Sequence, residues 1–435
     1  MTTTTSTTPA AGSVAERLGT LVGAVAGGSL PVRLRAWDGS ETGPADGPVL
    51  VVRSRDALRR MLWRPNELGL AQAYITGEID VEGDLADGLR RVWRHARAKG
   101  LTGGGARLGA TDRLRALRTA LALGVLGPRP KAPAVEAKLD GRLHSKARDR
   151  AAISYHYDLS NEFYALLLDP AMAYSCGYWT SDAPGYDLAA AQRDKLDLIC
   201  RKLGLRPGMR MLDVGCGWGS LSIHAARHYG ADVTGVTLSA RQRDFAAARV
   251  AELGLQDRAR VRLQDYRDVT DGPYDAIATV EMGEHVGDAQ YPAFAATLHG
   301  LLAPRGRLLV QQMSRGRHAP GGGAFIEAYV APDMHMRPVG ETVARLERAG
   351  LEVRDVHAMR EHYVHTVAAW LRTLESNWDA AVALVGEPTA RVWRLYLVGG
   401  ALTFEEGRMG VDQILAVRPG PGGVSGAALH DPAWR

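Results

Sequence analysis

Three glycines at alternate positions, Gly215, Gly217 and Gly219, follow the acidic residue Asp213 in the stretch Met211-Leu-Asp-Val-Gly-Cys-Gly-Trp-Gly-Ser220. Glycine has no Cβ, so a turn built from it lets a ligand touch bare backbone amides. The run Arg210 to Val214 is mostly apolar and reads as a buried parallel strand. After Ser220, Leu221, Ile223, Ala225 and Ala226 begin a helical pattern. The spacing G-x-G-x-G differs from the dinucleotide pattern G-x-G-x-x-G. In isolation a glycine-rich turn that holds no ligand would look the same, so the flanking sequence decides.

A second unusual stretch runs from Ala152-Ile-Ser-Tyr-His-Tyr-Asp-Leu-Ser-Asn-Glu-Phe-Tyr164 to Met172-Ala-Tyr-Ser-Cys-Gly-Tyr-Trp179. It is dense in Tyr, with His and Trp, and suits a lid over a ligand; an aromatic packing helix is the plainer reading. Three cysteines occur, Cys176, Cys200 and Cys216, and no pair has CxxC spacing. That argues against a metal site and for a reduced, cytoplasmic chain.

The elements that must position these residues follow in order. Leu188 to Leu203 reads as an amphipathic helix, then come strand Arg210–Val214, a helix from Ser220, strand Asp232–Thr237 and helix Ala240–Leu253. Strands Arg260–Leu263 and Tyr274–Val280, a helix around Tyr291–Leu302 and strand Arg307–Gln312 complete the series. Strands alternating with helices imply a doubly wound parallel α/β sheet, whose ligands bind at the carboxyl ends of the strands. Those ends carry Gly215–Gly219, Thr237–Gln242, Gln264–Arg267, Glu281–Gly287 and Gln311–Ser314.

Ahead of this domain the expected order is a disordered lead (1–12), a small N-terminal α/β domain (13–89) and a basic linker (90–148). The catalytic domain would fill 149–417 and a flexible tail 418–435. The small domain shows strand Pro31–Trp37, a partner strand Val49–Arg53 and a helix Arg55–Trp63, and no catalytic constellation. Between Arg90 and Arg150 there are sixteen Lys or Arg against four Asp or Glu, a surplus larger than the +5 of the whole chain of 435 residues. Such a belt suggests an anionic partner, either anionic lipid or nucleic acid, or else a solvated linker. Within it Asp112 to Leu126 reads as an amphipathic helix with a basic side, and Gly103–Gly105 and Gly127-Pro-Arg-Pro130 as hinges. No run reaches the roughly 18 apolar residues of a membrane span.

With Asp213 before it, the glycine turn resembles motif I of class I S-adenosylmethionine (SAM) methyltransferases, a Rossmann-like fold. Residues from about Asp149 to Ala416 resemble the cyclopropane-fatty-acyl-phospholipid synthase family. The matching stretches are Tyr174-Ser-Cys-Gly-Tyr-Trp179, Leu212-Asp-Val-Gly-Cys-Gly-Trp-Gly219, Gly235-Val-Thr-Leu-Ser239 with Gln242, Asp265-Tyr-Arg-Asp268 and Glu284-His-Val-Gly287. The resemblance implies SAM as methyl donor and a cis double bond of an unsaturated phospholipid acyl chain as acceptor. It implies that Asp213, Gly215, Gly217 and Gly219 take the methionine part of SAM, and that Thr237, Leu238 and Gln242 replace the usual acidic ribose ligand. Asp265 and Tyr266 would flank the adenine, with Tyr174 and Ser175 closing over SAM. A bicarbonate ion would remove a proton from the cation left by methyl transfer, held by Cys176, Glu284, Gln311, Met313 and Tyr363. Tyr155, Tyr157, Tyr178 and Tyr363 have ring faces suited to a cation, and each alone reads equally as plain packing.

Two departures from the cyclopropane-forming pattern stand out. Gln311 replaces a His of the bicarbonate shell, and Leu397-Val-Gly-Gly-Ala401 lacks a Cys found in some members. A Gln at that position resembles the branch that makes 10-methylene-stearoyl lipids, precursors of tuberculostearic (10-methylstearic) acid, which a separate reductase saturates. The expected function is therefore methylation of an oleoyl phospholipid to a 10-methylene chain, by a protein peripheral at the inner face of the membrane. Cyclopropane formation is the alternative. A SAM-binding partner subunit without activity and a methyltransferase acting on a small molecule or RNA are further readings. The retained Glu284, Tyr363 and lid count against the former, and the lid in place of an RNA-stacking module counts against nucleic acid. A homo-oligomer remains open.

Overall fold

The computed structural model describes residues 12–26, 28–100, 117–137, 140–157, 160–316 and 321–426. The chain divides into two compact units, Met1–Val135 and Glu136–Arg435. Residues 1–11 of the expected lead and Gly103–Gly105 fall outside the described residues, as does the last part of the expected tail.

The first unit holds α1 (Val14–Ala26), β1 (Arg33–Arg35), β2 (Glu41–Thr42), β3 (Val49–Val52), α2 (Arg55–Trp63), α3 (Glu67–Ile75), β4 (Ile79–Glu82) and α4 (Leu85–Ala98). The sheet order is β2-β1-β3-β4, with β1 and β3 parallel. Ser54 and Asn66 cap α2 and α3 by accepting free N–H groups of their first turns. The expected boundary at residue 89/90 falls inside α4. Arg91 continues that helix, pairing with Asp87 one turn back and with Asp46.

The expected hinge is not free either. Arg59 donates to the Val125 carbonyl, Trp63 to that of Gly127 and Arg60 to that of Lys131. Leu123 is buried in the unit's core with Leu18, Leu34 and Ile79. The helix expected over Asp112–Leu126 is described only from residue 117, and 117–122 are helical with Leu117 and Leu121 exposed.

The second unit begins with α5 (Lys146–Tyr157), α6 (Asn161–Leu167) and α7 (Leu188–Leu203). Then come β5 (Arg210–Val214), α8 (Ser220–Tyr229), β6 (Asp232–Thr237), α9 (Ala240–Glu252), β7 (Ala259–Leu263), β8 (Tyr274–Val280) and α10 (Tyr291–Leu301). The remainder is β9 (Leu302–Arg315), α11 (Ala324–Tyr329), α12 (Val339–Arg348), β10 (Glu352–Ala358), α13 (Arg360–Ser376), α14 (Trp378–Val385), α15 (Glu387–Glu405) and β11 (Met409–Val417).

Seven strands form one sheet in the order β10-β11-β9-β8-β5-β6-β7. β5 to β9 run parallel, and β11 is antiparallel to both β9 and β10. This is the doubly wound α/β fold of class I methyltransferases. Successive side chains of a strand point to opposite faces. Met211 accordingly joins one apolar layer with Ile199, Leu221 and Val233, and Leu212 the other with Ile277, Phe294 and Leu308. A third cluster is rich in aromatic residues, among them Tyr164, Trp218, Tyr363, Trp370, Trp393 and Phe404. Much of it comes from α13 and α15, in the stretch beyond Met313 where sequence pattern marked no elements.

Among the described residues no helix is long and apolar enough to cross a membrane. None of their His, Cys, Asp and Glu side chains form a group of three or more that could hold a metal ion.

Candidate active site

β5 ends at Val214, and the chain then turns through Gly215 at φ 75° and Gly217 at φ 53°. A Cβ on Gly215 would stand 2.9 Å from Met282 Cγ. On Gly217 it would meet only Gln242 Nε2, at 3.8 Å, because that side of the turn opens on a cavity. Tyr174, Ser175, Asp213, Gly215, Gly217, Thr237, Leu238, Gln242 and Tyr266, nine of the expected cofactor residues, line this cavity.

Two expected cofactor residues act differently. Gly219 is the N-cap of α8 and packs on Ala246. Asp265 turns to Arg267, at 2.6 Å, and caps the short helical turn that follows. Thr237 Oγ donates to Gln242 Oε1 at 2.8 Å, which fixes the amide so that its Nε2 is the group near the glycine turn. Asp213 accepts from the Ser222 hydroxyl at 2.7 Å, and burial raises its carboxyl to about 6.

The catalytic shell expected from sequence assembles around a different carboxylate. Glu281 follows the last residue of β8, has φ 52° and lines the cavity. A non-glycine residue in the left-handed region costs on the order of 1–2 kcal/mol, so its surroundings must over-determine it. Oε1 of Glu281 accepts the backbone N–H of Cys176 at 2.8 Å and Nε2 of Gln311 at 2.9 Å. Oε2 accepts the Tyr363 hydroxyl at 2.5 Å. The Gln311 amide is oriented from behind, where Gln413 Nε2 donates to its Oε1 at 3.0 Å. Burial raises the Glu281 carboxyl above its ordinary range, while Tyr363, Cys176 and Gln311 pull the other way.

Glu284 does not occupy the role expected of it. It is fully buried, does not line the cavity, and its Oε1 accepts the Met313 N–H at 3.1 Å. Burial and the nearby Glu281 charge raise it to about 8, so at neutral pH it is a carboxylic acid. The two carboxyls thus differ in what favours their charged forms, since Glu281 accepts three hydrogen bonds and Glu284 one.

Cys176 contributes its backbone: burial raises the thiol, which lies against the carbonyls of Gly177 and Met359. Met313 also contributes its N–H. His285 lines the cavity, held neutral by burial that lowers it to about 4.

Of the four tyrosines expected around a cation, only Tyr363 joins the Glu281 knot. Tyr155 bonds the Tyr329 carbonyl, Tyr178 packs against His362 with the rings tilted, and the Tyr157 side chain lies outside the described residues. Tyr174 does border the knot, 5.2 Å from Trp370 and with its hydroxyl 3.1 Å from that of Tyr396. Sequence reasoning missed Glu281, Tyr396 and Lys195. The signal for Glu281 was an acid directly after an apolar strand, on the binding edge of a parallel sheet.

The profile of the family described as mycolic acid cyclopropane synthetase matches residues 144–414. The chain belongs to this family. A Pseudomonas putida protein described as "Probable fatty acid methyltransferase" is 37% identical over 93% of this chain and 95% of its own. The tuberculostearic acid methyltransferase UfaA1 of Mycobacterium tuberculosis is 34% identical over 90% and 89%. Among solved structures, the mycolic acid cyclopropane synthase CmaA1 in complex with SAH and CTAB superposes with a TM-score of 0.58 at 32% identity. That match covers 61% of this chain and 97% of CmaA1. The family, the fold and the glycine-turn cavity agree on a SAM-dependent methyltransferase of lipids.

Gly217→Val should abolish SAM binding, since valine at φ 53° is strained and its side chain enters the cavity. Titration calorimetry checks this, and unchanged affinity would remove the assignment of the glycine turn.

Proposed function

We propose that this chain methylates the cis double bond of an oleoyl phospholipid with SAM as donor, and releases a 10-methylene acyl chain. SAM, when bound, supplies an electrophilic methyl group, whose transfer to an alkene leaves a cation on the acyl chain. The protein must then surround that cation with low-polarity surface and remove one proton.

The observation that carries this reading is the Glu281 knot on the cavity wall. A bicarbonate ion does not fit the expected shell. Three of its donors, Cys176 N–H, Gln311 Nε2 and Tyr363 O–H, are taken by Glu281, and the Met313 N–H by Glu284. A second anion beside Glu281 would meet repulsion without compensating donors. Glu281 itself is the base in this reading. Its raised carboxyl brings it nearer the basicity that proton removal at neutral pH needs. Tyr174, which lines the cavity with Trp370 packed against it and Tyr363 against Trp370, is the aromatic side chain available to the cation.

The methylene branch rests on Gln311. A Gln amide hydrogen-bonds but does not titrate, so Gln311 holds the base without exchanging a proton with it. The relationship to UfaA1 supports the same branch. A saturated 10-methyl product then requires a separate reductase, and the acyl substrate requires contact with a membrane.

Glu281→Gln should cut turnover by about 10²–10⁴, the usual worth of a positioned base, with SAM affinity near wild type. In the wild type, turnover should fall on acidification already above the ordinary glutamate range, because a raised carboxyl protonates early and the protonated form is no base. Glu284→Gln should cost far less, since it replaces one neutral group by another. Turnover that survives Glu281→Gln and disappears with Glu284→Gln would reverse the two roles.

With oleoyl phospholipid and SAM the main product should be the 10-methylene chain, and Gln311→His should shift part of it towards cyclopropane. The two products have equal mass, so chromatography or the cyclopropane proton signals in NMR must separate them. Cyclopropane alone from the unaltered enzyme would return the chain to the ordinary family activity.

The basic belt should bind anionic vesicles better than neutral ones, more weakly as salt rises, with about 1 kcal/mol per basic residue near the surface. Co-sedimentation reads this out, and binding indifferent to salt and head group would leave the belt as a linker.

A further inference from the structure

Lys195 lies on α7 and is only 1% exposed, yet it lines the same cavity as the glycine turn. Its ammonium donates to Ser175 Oγ at 2.8 Å. A buried ammonium is costly unless charges and acceptors compensate it, and it carries three donors. The acids whose charges act on it are Glu281, Asp169 and Asp213. Each of them is served by other donors. Asp169 accepts the N–H groups of Ala171 and Ala173, Asp213 the Ser222 hydroxyl, and Glu281 its three partners. Burial lowers the lysine, as expected of a cation short of direct partners.

Ser175 extends the arrangement. Its Oγ accepts from Lys195, so its own proton is free to be donated elsewhere, and Ser175 lines the cavity too. The backbone beneath it is fixed, because Gln192 donates to the Ser175 carbonyl at 2.7 Å. An ammonium and a hydroxyl, side by side on a rigid wall, form a receptor for a carboxylate. Asp213 supplies a negative charge on the same wall. The amino-acid end of SAM is a zwitterion with one carboxylate and one ammonium, and opposite charges on one wall give it a single favourable direction.

We propose that Lys195, with Ser175, binds the α-carboxylate of SAM and thereby sets the direction in which the methyl group points. This rests on the reading of the cavity as the SAM site and not on the role given to Glu281. Lys195 is then a ligand of the cofactor's charged end.

The test compares two ligands by calorimetry: S-adenosylhomocysteine, and the same molecule lacking the α-carboxyl group. Wild-type protein should prefer the first by about 10–100-fold, the worth of a charge-assisted hydrogen bond. Lys195→Met and Lys195→Gln should lose that preference while keeping wild-type affinity for the ligand without the carboxyl group. Lys195→Arg should restore part of it. The wild-type comparison decides the matter even where a variant fails to fold: equal affinities for the two ligands overturn the proposal. So does an equal loss for both ligands in the variants. A fall in turnover with the preference intact also overturns it, and would make Lys195 a counter-ion of Glu281. Failure of wild-type protein to bind either ligand would sink the cofactor reading itself, a result separable from all the others.

Discussion

The carboxylate of Glu281 is the tie on which the binding edge of the sheet depends. It gathers the lid through the Cys176 N–H, β9 through Gln311 and α13 through Tyr363, and Gln311 brings in β11 through Gln413. Hydrogen bonds to an ionised acceptor contribute about 1.5–3 kcal/mol each, roughly twice a neutral pair. Three of them offset the cost of burying the charge and the left-handed backbone that aims it. The same donors make the carboxylate less basic while burial makes it more so, and burial wins. The knot is a fastening and, in the proposed reaction, also the base.

Around it the enzyme has gathered more buried acid than it can leave ionised. Glu281, Glu284, Asp213 and Asp169 share the region with one buried lysine, Lys195. Crowded carboxyls separate into those that keep their charge and those that take a proton. Glu284 has the weaker claim, with one backbone donor and full burial, and stands at about 8. As a neutral acid behind the wall it spares Glu281 a second negative neighbour.

The fold was legible because its core strands are buried on both faces. Arg210–Val214, Asp232–Thr237 and Tyr274–Val280 carry Val, Leu, Ile or Met among their buried positions, and the structure has them with those ends. The glycine turn was legible because Asp213 and the strand before it and the helix after it fix its place at the binding edge of the sheet. The carboxylate on the cavity wall was harder. Glu281 and Glu284 lie three apart in Val280-Glu-Met-Gly-Glu-His, and residue type does not say which turns to the cavity. The sign of φ at Glu281 decides that, and tertiary contacts hold it. Cys176 and Met313 act through backbone N–H groups, which every residue except proline carries, so their side chains held no clue. Lys195 sat in an amphipathic helix where a lysine reads as solvent-facing. The hinge around residues 127–130 looked mobile by composition, and three side chains of α2 pin the carbonyls at and beside it.

A base tethered to the chain differs from a captured ion in one respect that bears on the product. A bound ion settles wherever its donors and the cation leave it, and can shift as the cation moves along the acyl chain. Glu281 is fixed at its backbone, at both oxygens and, through Gln311, from behind. Proton transfer needs heavy atoms within about 2.6–3.2 Å, so a fixed oxygen reaches the protons of one carbon and not of its neighbour. In the proposed reaction both products lose a proton from the transferred methyl group, so they differ in whether a hydride shift has already moved the cation onto the methyl-bearing carbon. A fixed base that meets the methyl protons only after that shift gives the methylene branch, and one that meets them before it closes the ring. The residues that set the product are on this view those that hold Glu281 still, Gln311 and Gln413 among them, as much as the carboxylate itself.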